Sequence, residues 1–360
     1  MIPYILYNKE KREEKGAIEP IYSKFCRPKT QHDKKYLYVL SSEICEDWNP
    51  PFTWFGKHKL PDYVINDIKE KRAVVLIDIC LEAIPSNMFK TVFKQFQTLN
   101  NLSDSDKDNI LYITSNICHD EITGCTVISD NFGLAAVKNI WFNVYNLNSY
   151  NINETLSEIF DFRKKREWEY KFACLQQRPR TFRKTLYKKL REQYTIEESI
   201  CSLRTDNEVG FIEKSPYDTH SDSEILTWDH INTLHYSKIK FALVSERNYS
   251  KLEEECPFTT EKVLKNLIIP QPFVLCSFKG HIKELKRLGF LLYEDLIDHS
   301  YDELEDEYRM DAAIEELNRI IDVEPDLYIE QAIHNINIIK QSQTLEKIFP
   351  IISKILDIRE

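Results

Sequence analysis

Thr259, Thr260, Glu261 and Lys262 stand together in CPFTTEKVLKNLIIPQPFVLC, residues 256–276, with a carboxylate and an ammonium at one helix start. Val263, Leu264, Leu267 and Ile268 follow at helical spacing, so 259–268 reads as a helix capped by a threonine. Glu261 suits the positive end of a helix, whereas Lys262 opposes it. An anion shared between Lys262 and the first-turn N–H groups would account for the lysine. Glu261 could then accept hydrogen bonds from ribose hydroxyls. The other reading is an ordinary capped helix.

Further charged side chains fall where an α/β sheet presents its ligands. RPRTFRKTLYKKLR, residues 178–191, places Arg178, Arg180, Arg183 and Lys184 between a strand and a helix. Guanidinium forks at a helix start suit a diphosphate, and the competing reading is a solvated basic face. Glu246 closes the apolar run KFALVSE, and Asp78 and Glu82 flank the end of AVVLIDIC. Each could serve as a general base or face a ligand, and each could equally be structural. CHDEITGC, residues 118–125, offers Cys118, His119, Asp120 and Cys125 to a metal, but at none of the usual zinc spacings. LSDSDKDN, residues 102–109, imitates a calcium loop, yet has Asn109 at the glycine position and Ser115 at the glutamate position, so it reads as a surface turn.

The elements that must position these groups alternate. In the N-terminal half, YLYVL (36–40), AVVLIDIC (73–80), NILYITSN (109–116) and KNIWFNVY (138–145) read as strands. PDYVINDIKEKR (61–72) and NMFKTVFKQFQTL (87–99) read as helices, the second with Phe89, Val92, Phe93, Phe96 and Leu99 on one face. After a charged stretch near 161–170 the pattern restarts. Strands are expected at 170–176, 199–203, 238–246 and 272–276. Helices are expected at 181–193, 225–235, 259–268 and 281–289, with 205–222 a polar loop. The tail, 303–358, reads as two or three amphipathic helices. This predicts an α/β protein of two Rossmann-like units facing a cleft: 1–165 on the acceptor side, 166–300 binding the nucleotide, and a helical tail, 301–360, bracing both. Ligands of open parallel sheets bind beyond the carboxyl ends of the strands.

Composition bounds the rest. The 360 residues are 42% hydrophobic, enough for a sizeable core, and contain no apolar run long enough to span a membrane. The first residues turn charged too soon for a signal peptide, and nine cysteines without a CxxC pair suit a reducing compartment, so a cytoplasmic protein is expected. A net charge of −10 argues against wrapping bare nucleic acid by charge alone, although 162–171 and 178–191 are locally basic. Seven glycines, with neither GxGxxG nor GxxxxGK[ST], exclude a dinucleotide fingerprint and a P-loop. Nothing signals an obligate protein partner.

KFALVSERN followed by PFTTEKVLKNLIIPQPFVL, with an arginine-bearing helix upstream, resembles the donor domain of α-1,3-fucosyltransferase-type glycosyltransferases. The continuation GHIKELKRLGFLLYEDLIDHSYDELEDEYR is similar to glycosyltransferase-like proteins, many of them from phages and large viruses. The resemblance covers roughly 170–310. It implies a GT-B architecture, a nucleoside-diphosphate sugar as donor, no metal and no other cofactor. Carried over, Arg183 and Lys262 match the diphosphate-binding pair, Glu261 the ribose-binding glutamate, and Glu246 the glutamate of the motif's strand. Arg178, Arg180 and Thr260 flank the same site. The family places its catalytic base in the N-terminal domain, where Glu82 and Asp78 are the candidates. Two departures stand out: Glu246-Arg247-Asn248 replaces Glu-Asn, and IIPQPFVL lacks the usual glycine. The expectation is an inverting hexosyl- or pentosyltransferase acting on a glycan or a hydroxymethylated DNA base, in the host cytoplasm if viral. A catalytically inactive binding protein on the same fold is the alternative.

Overall fold

The computed structural model describes residues 2–6, 26–41, 54–79, 86–114, 126–129, 152–176, 179–205, 211–213, 215–216, 231–246, 249, 259–342 and 348–356. Contacts divide the chain into two units. The first is Met1–Ile140 with Glu255–Phe258 and Ser342–Glu360, and the second is Trp141–Glu254 with Thr259–Gln341. The expected class, α/β with two Rossmann-like units and C-terminal helices, is the one found.

The first unit holds β1 (Ile2–Leu6), β2 (Cys26–Pro28), β3 (Tyr36–Ser41), α1 (Asp62–Lys69), β4 (Ala73–Ile79), α2 (Ser86–Leu99), β5 (Ile110–Thr114) and β6 (Thr126–Ser129). The strands form one parallel sheet in the order β2-β1-β3-β4-β5-β6. Val74 to Ile77 are all buried, as continuous apolar strands covered on both faces must be. Phe89, Val92, Phe93 and Phe96 turn one face of α2 into the core, with Phe89 stacking on Phe93 at 5.5 Å and closing on Tyr112 at 3.9 Å. Each buried phenylalanine contributes about 1.5–3 kcal/mol.

The second unit holds α3 (Ile152–Lys165), β7 (Tyr170–Leu175), α4 (Thr181–Gln193), β8 (Ser199–Arg204), β9 (Phe211–Glu213), α5 (Thr233–Lys238), β10 (Ile239–Ser245), α6 (Glu261–Ile268), β11 (Phe273–Cys276), α7 (His281–Arg287), α8 (Asp306–Ile320) and α9 (Ile329–Gln341). The last helix, α10 (Ile348–Ile355), groups with the first unit. The second sheet runs β11-β10-β7-β8-β9, parallel except for β9 at one edge. The chain therefore enters at the central β7, winds outward through β8 and β9, then crosses back to β10 and β11. The order reverses between β7 and β10, which makes that pair the switch point of a doubly wound sheet. In the first sheet the reversal lies between β1 and β3.

Several boundaries differ from the sequence expectation. The first half of the stretch 161–170, read as a basic break between units, is the last part of helix α3 of the second unit. Its Arg163 is wholly buried: Nε donates to the Pro270 carbonyl at 2.7 Å, Nη1 to Tyr236 at 2.7 Å and Ile239 at 2.9 Å, and Nη2 to Lys240 at 3.0 Å. Burial pulls its pKa down to about 9, and the guanidinium stacks on Trp168. It is therefore a staple for strand ends rather than a surface charge for an anionic partner. The expected loop 205–222 contains the short antiparallel strand β9, whose Glu213 is held by Arg191. The expected strand 138–145 and most of the expected helix 225–235 lie outside the described residues, and the described helix there opens at Thr233. The calcium-like stretch is a capped 3-10 turn, with the Asp106 carboxylate accepting from Ser103 N–H and hydroxyl, both at 2.7 Å. Among the described residues no helix is long and apolar enough to cross a membrane.

Candidate functional site

At the switch point β7 ends in Leu175 and Gln176, and β10 ends in Ser245 and Glu246. Two helices open toward this edge. Helix α4 begins after Arg180, whose side chain makes no cap hydrogen bond. Helix α6 begins after Thr260, whose extended backbone and hydroxyl cap the Lys262 N–H at 3.3 Å. Buried Val263, Leu264, Leu267 and Ile268 hold α6 against the sheet, and buried Phe182, Leu186 and Leu190 hold α4.

Glu246 binds these pieces together. Its carboxylate, on a residue 1% exposed, accepts from the Thr260 N–H at 2.9 Å. The Thr260 hydroxyl donates toward both carboxylate oxygens, 2.7 and 2.8 Å away. The same hydroxyl lies 3.5 Å from the Lys262 ammonium, which sits 3.7 Å from the Glu261 carboxylate. Glu246 thus pins the start of α6 to the end of β10. Its charge is used on the cap, and no described geometry turns it toward a reacting group.

Arg183, in the first turn of α4, is 3% exposed and donates through Nη2 to the carbonyls of Glu246 at 2.9 Å and Ser245 at 3.4 Å. Burial, joined by the nearby Arg180, lowers its pKa to about 10 against the upward pull of Glu246 and Glu261. Arg183 is therefore still charged at neutral pH. Arg180, Arg183, Glu246, Thr260, Glu261 and Lys262 share one neighbourhood. It holds three cationic heads against two carboxylates, beside two helix starts. Nη2 of Arg183 is committed to backbone carbonyls. Lys262 and Glu261 are each about a quarter exposed, at 26% and 28%, and present the more accessible polar atoms.

Asp78 is 0% exposed near the carboxyl end of β4, in register with Ser41 and Ile113, one strand away from the β1/β3 reversal. Arg178 and Glu82 lie outside the described residues. Lys184 is exposed on the second turn side of α4.

A second ring of polar residues, which the sequence reading missed, stiffens the edge. His281 is buried between Thr259 (Nε2 to Oγ1, 2.9 Å) and Ser277 (Nδ1 to Oγ, 2.8 Å) and stacks on Phe278. Burial drops its pKa to about 3, so the ring is neutral. Arg309 is wholly buried and donates to the carbonyls of Ser277 (2.8 Å), Leu304 (2.8 Å) and Tyr249 (2.6 Å). It ties the end of β11 to the residues after β10. In sequence Arg309 sits within DEYRMD, in the tail read as amphipathic helices, and the histidines are scattered without a partner pattern. Only the three-dimensional register brings them to the edge.

No family model matches the chain, and neither a curated protein nor a solved structure matches it. The site is therefore read on its own chemistry. Among the described residues no group of three or more His, Cys, Asp or Glu is placed to hold a metal ion. Two helix N-termini and the Arg180, Arg183 and Lys262 heads suit a multiply charged anion held by N–H donors and cations. A quarter-exposed carboxylate beside them suits a hydroxyl donor.

Proposed function

We propose that the chain is a glycosyltransferase of the GT-B type whose second unit binds a nucleoside-diphosphate sugar at the β7/β10 switch point. The observation that carries this reading is the convergence of Arg183 and Lys262, 79 positions apart in sequence, on the neighbourhood of Glu261 beside two helix starts. Lys262 and the first-turn N–H groups of α6 contact the diphosphate, with Arg180 adding charge. Glu261 accepts from the ribose hydroxyls. Arg183 and Glu246 act chiefly by fixing the strand end and the helix cap on which those groups stand.

In this mechanism the acceptor hydroxyl attacks the anomeric carbon as the bond to the diphosphate breaks, inverting the configuration. The charge that develops on the leaving diphosphate is stabilised by prearranged cations and N–H dipoles, the electrostatic part of catalysis. The proton of the acceptor passes to a general base, for which the resemblance offers Asp78 and Glu82 as candidates. The acceptor is a glycan or a hydroxymethylated DNA base.

Release of nucleoside diphosphate from a panel of nucleotide sugars tests the reaction, run with glycan acceptors and with hydroxymethylated duplex DNA. Acceptor-dependent release that is lost in Lys262→Ala supports a transferase. Binding of a nucleotide without release, with any sugar or acceptor, supports the second reading, an inactive transferase fold used for binding. That reading is favoured by Nη2 of Arg183 donating to the carbonyls of Glu246 and Ser245.

A further inference from the structure

Among the described residues, two buried side-chain oxygens at the switch point have no hydrogen-bond partner: Oε1 of Gln176 and Oγ of Ser245, each on a residue 1% exposed. Strands β7 and β10 pair in parallel with Ala242 opposite Ala173, and that register carried three residues further, one residue past the end of β7, brings Ser245 opposite Gln176. The backbone around them is well tied. The Gln176 N–H donates to the Ser202 carbonyl at 3.1 Å, its carbonyl accepts from the Ser202 hydroxyl at 3.3 Å, and Nε2 lies 3.1 Å from the Cys174 sulfur. The Ser245 carbonyl accepts from Arg183. The two terminal oxygens are left over among the described residues.

An unpaired buried oxygen works against folding, and native proteins leave few of them. Here two lie at the carboxyl ends of the strands between which the sheet order reverses, Ser245 as the last residue of β10 and Gln176 just after β7, the place where doubly wound sheets take ligands. Arg183 touches one of them through its backbone, and Arg180 and Glu261 share that arginine's surroundings.

We infer that Gln176 and Ser245 are ligand-contacting residues of this site, and that they recognise an uncharged, hydroxyl-bearing carbohydrate part of the ligand. The amide oxygen only accepts, so its partner must donate, which an ionised phosphate does not do. A hydroxyl donates to Gln176 and accepts from Ser245, satisfying both. The division of labour follows: cations and helix starts hold the phosphates, and this neutral pair reads the sugar or ribose. The assignment rests on the nucleotide reading of the same site.

The test uses the full chain and the variants Gln176→Leu and Ser245→Ala. Each is melted without ligand, then titrated with inorganic pyrophosphate, with the common nucleoside diphosphates, and with their hexose conjugates. Both variants are expected to melt no lower than the wild type, since each loses an unpaired oxygen. Pyrophosphate affinity should be unchanged, while affinity for the nucleotide or its hexose conjugate falls roughly tenfold or more. Unchanged nucleotide and conjugate affinity in both variants overturns the assignment and leaves the nucleotide reading intact. So does a loss of pyrophosphate affinity in step with the nucleotide, which would make these phosphate contacts, and so does a clear drop in melting temperature, which would make them structural. A wild type that binds none of the probes overturns both readings.

Discussion

Replacing Glu246 probes the architecture of the site most sharply, because one side chain carries the link from β10 to α6. Glu246→Ala leaves the Thr260 N–H and hydroxyl, now 2.9 Å and 2.7–2.8 Å from carboxylate oxygens, without acceptors in a buried setting. A buried donor left unpaired costs about 1–3 kcal/mol, and hydrogen bonds to a charged acceptor lie at the upper end of that range. Allowing for one freed donor that finds water, local opening of the 259–268 segment should become easier by about 3 kcal/mol. Glu246→Gln keeps one acceptor but sets an NH2 group against donors, so its effect should be about half as large. Amide hydrogen exchange reads this directly, since protection in α6 reports local opening. Exchange should rise roughly a hundredfold in Glu246→Ala and roughly tenfold in Glu246→Gln. Thr260→Val, which loses the hydroxyl, should be non-additive with Glu246→Ala by about 1 kcal/mol, because the two groups are partners. Unchanged protection across 261–268 in Glu246→Ala, or strict additivity in the double variant, would refute the pinning role and return Glu246 to the list of groups facing a ligand.

Two further predictions concern buried charges. Arg163→Met leaves the carbonyls of Pro270, Tyr236, Ile239 and Lys240 without their shared donor. The second unit should lose about 3–5 kcal/mol, visible as a lowered urea midpoint for its unfolding, and a midpoint within error of the wild type would show that water replaces the guanidinium freely. Asp302, whose carboxylate accepts from the Ile282 N–H at 3.0 Å, has its pKa raised to about 7, chiefly by burial, against the pull of those N–H bonds and of Arg309. A folded-state pKa above the unfolded one means that the neutral acid is the form the fold prefers. This contribution to stability is present at low pH and is lost as pH rises from the ordinary aspartate range toward 7. Relative to Asp302→Asn, the wild-type melting temperature should therefore fall between pH 5 and pH 8. Parallel pH profiles would refute the assignment.

How much of this was legible in the sequence depends on the range of the interactions. Helix α4 was readable to the residue because Phe182, Leu186 and Leu190 repeat at helical spacing, and the helical stretch of α2 for the same reason. Strand β4 was readable because a run buried on both faces must be apolar throughout. Strand β9 was missed because three residues at a sheet edge, one of them an acid bound by Arg191, carry no periodic signal. Helix α3 was missed because its basic end reads as solvated, whereas Arg163 is consumed by carbonyls 73 to 107 positions away. Residue type alone pointed to Arg183, Glu246, Glu261 and Lys262, which the fold brings to one edge of the second sheet. Their roles were not readable. Whether Glu246 faces a ligand or Thr260, and whether Arg183 faces a phosphate or two carbonyls, is decided by partners 14 and 62–63 positions distant. Gln176 and Ser245 carry no charge and gave no signal until the register set them opposite each other.

Calorimetric titration of the full chain with nucleoside diphosphates, in buffer containing a metal chelator, tests the central claim most directly. One base should give saturable binding, Lys262→Ala should weaken it at least tenfold, and Lys188→Ala, on an exposed residue of α4 paired with Glu192, should leave it unchanged. Absence of saturable binding by any nucleotide, or an equal loss in both variants, would contradict the assignment of the β7/β10 edge as a diphosphate site.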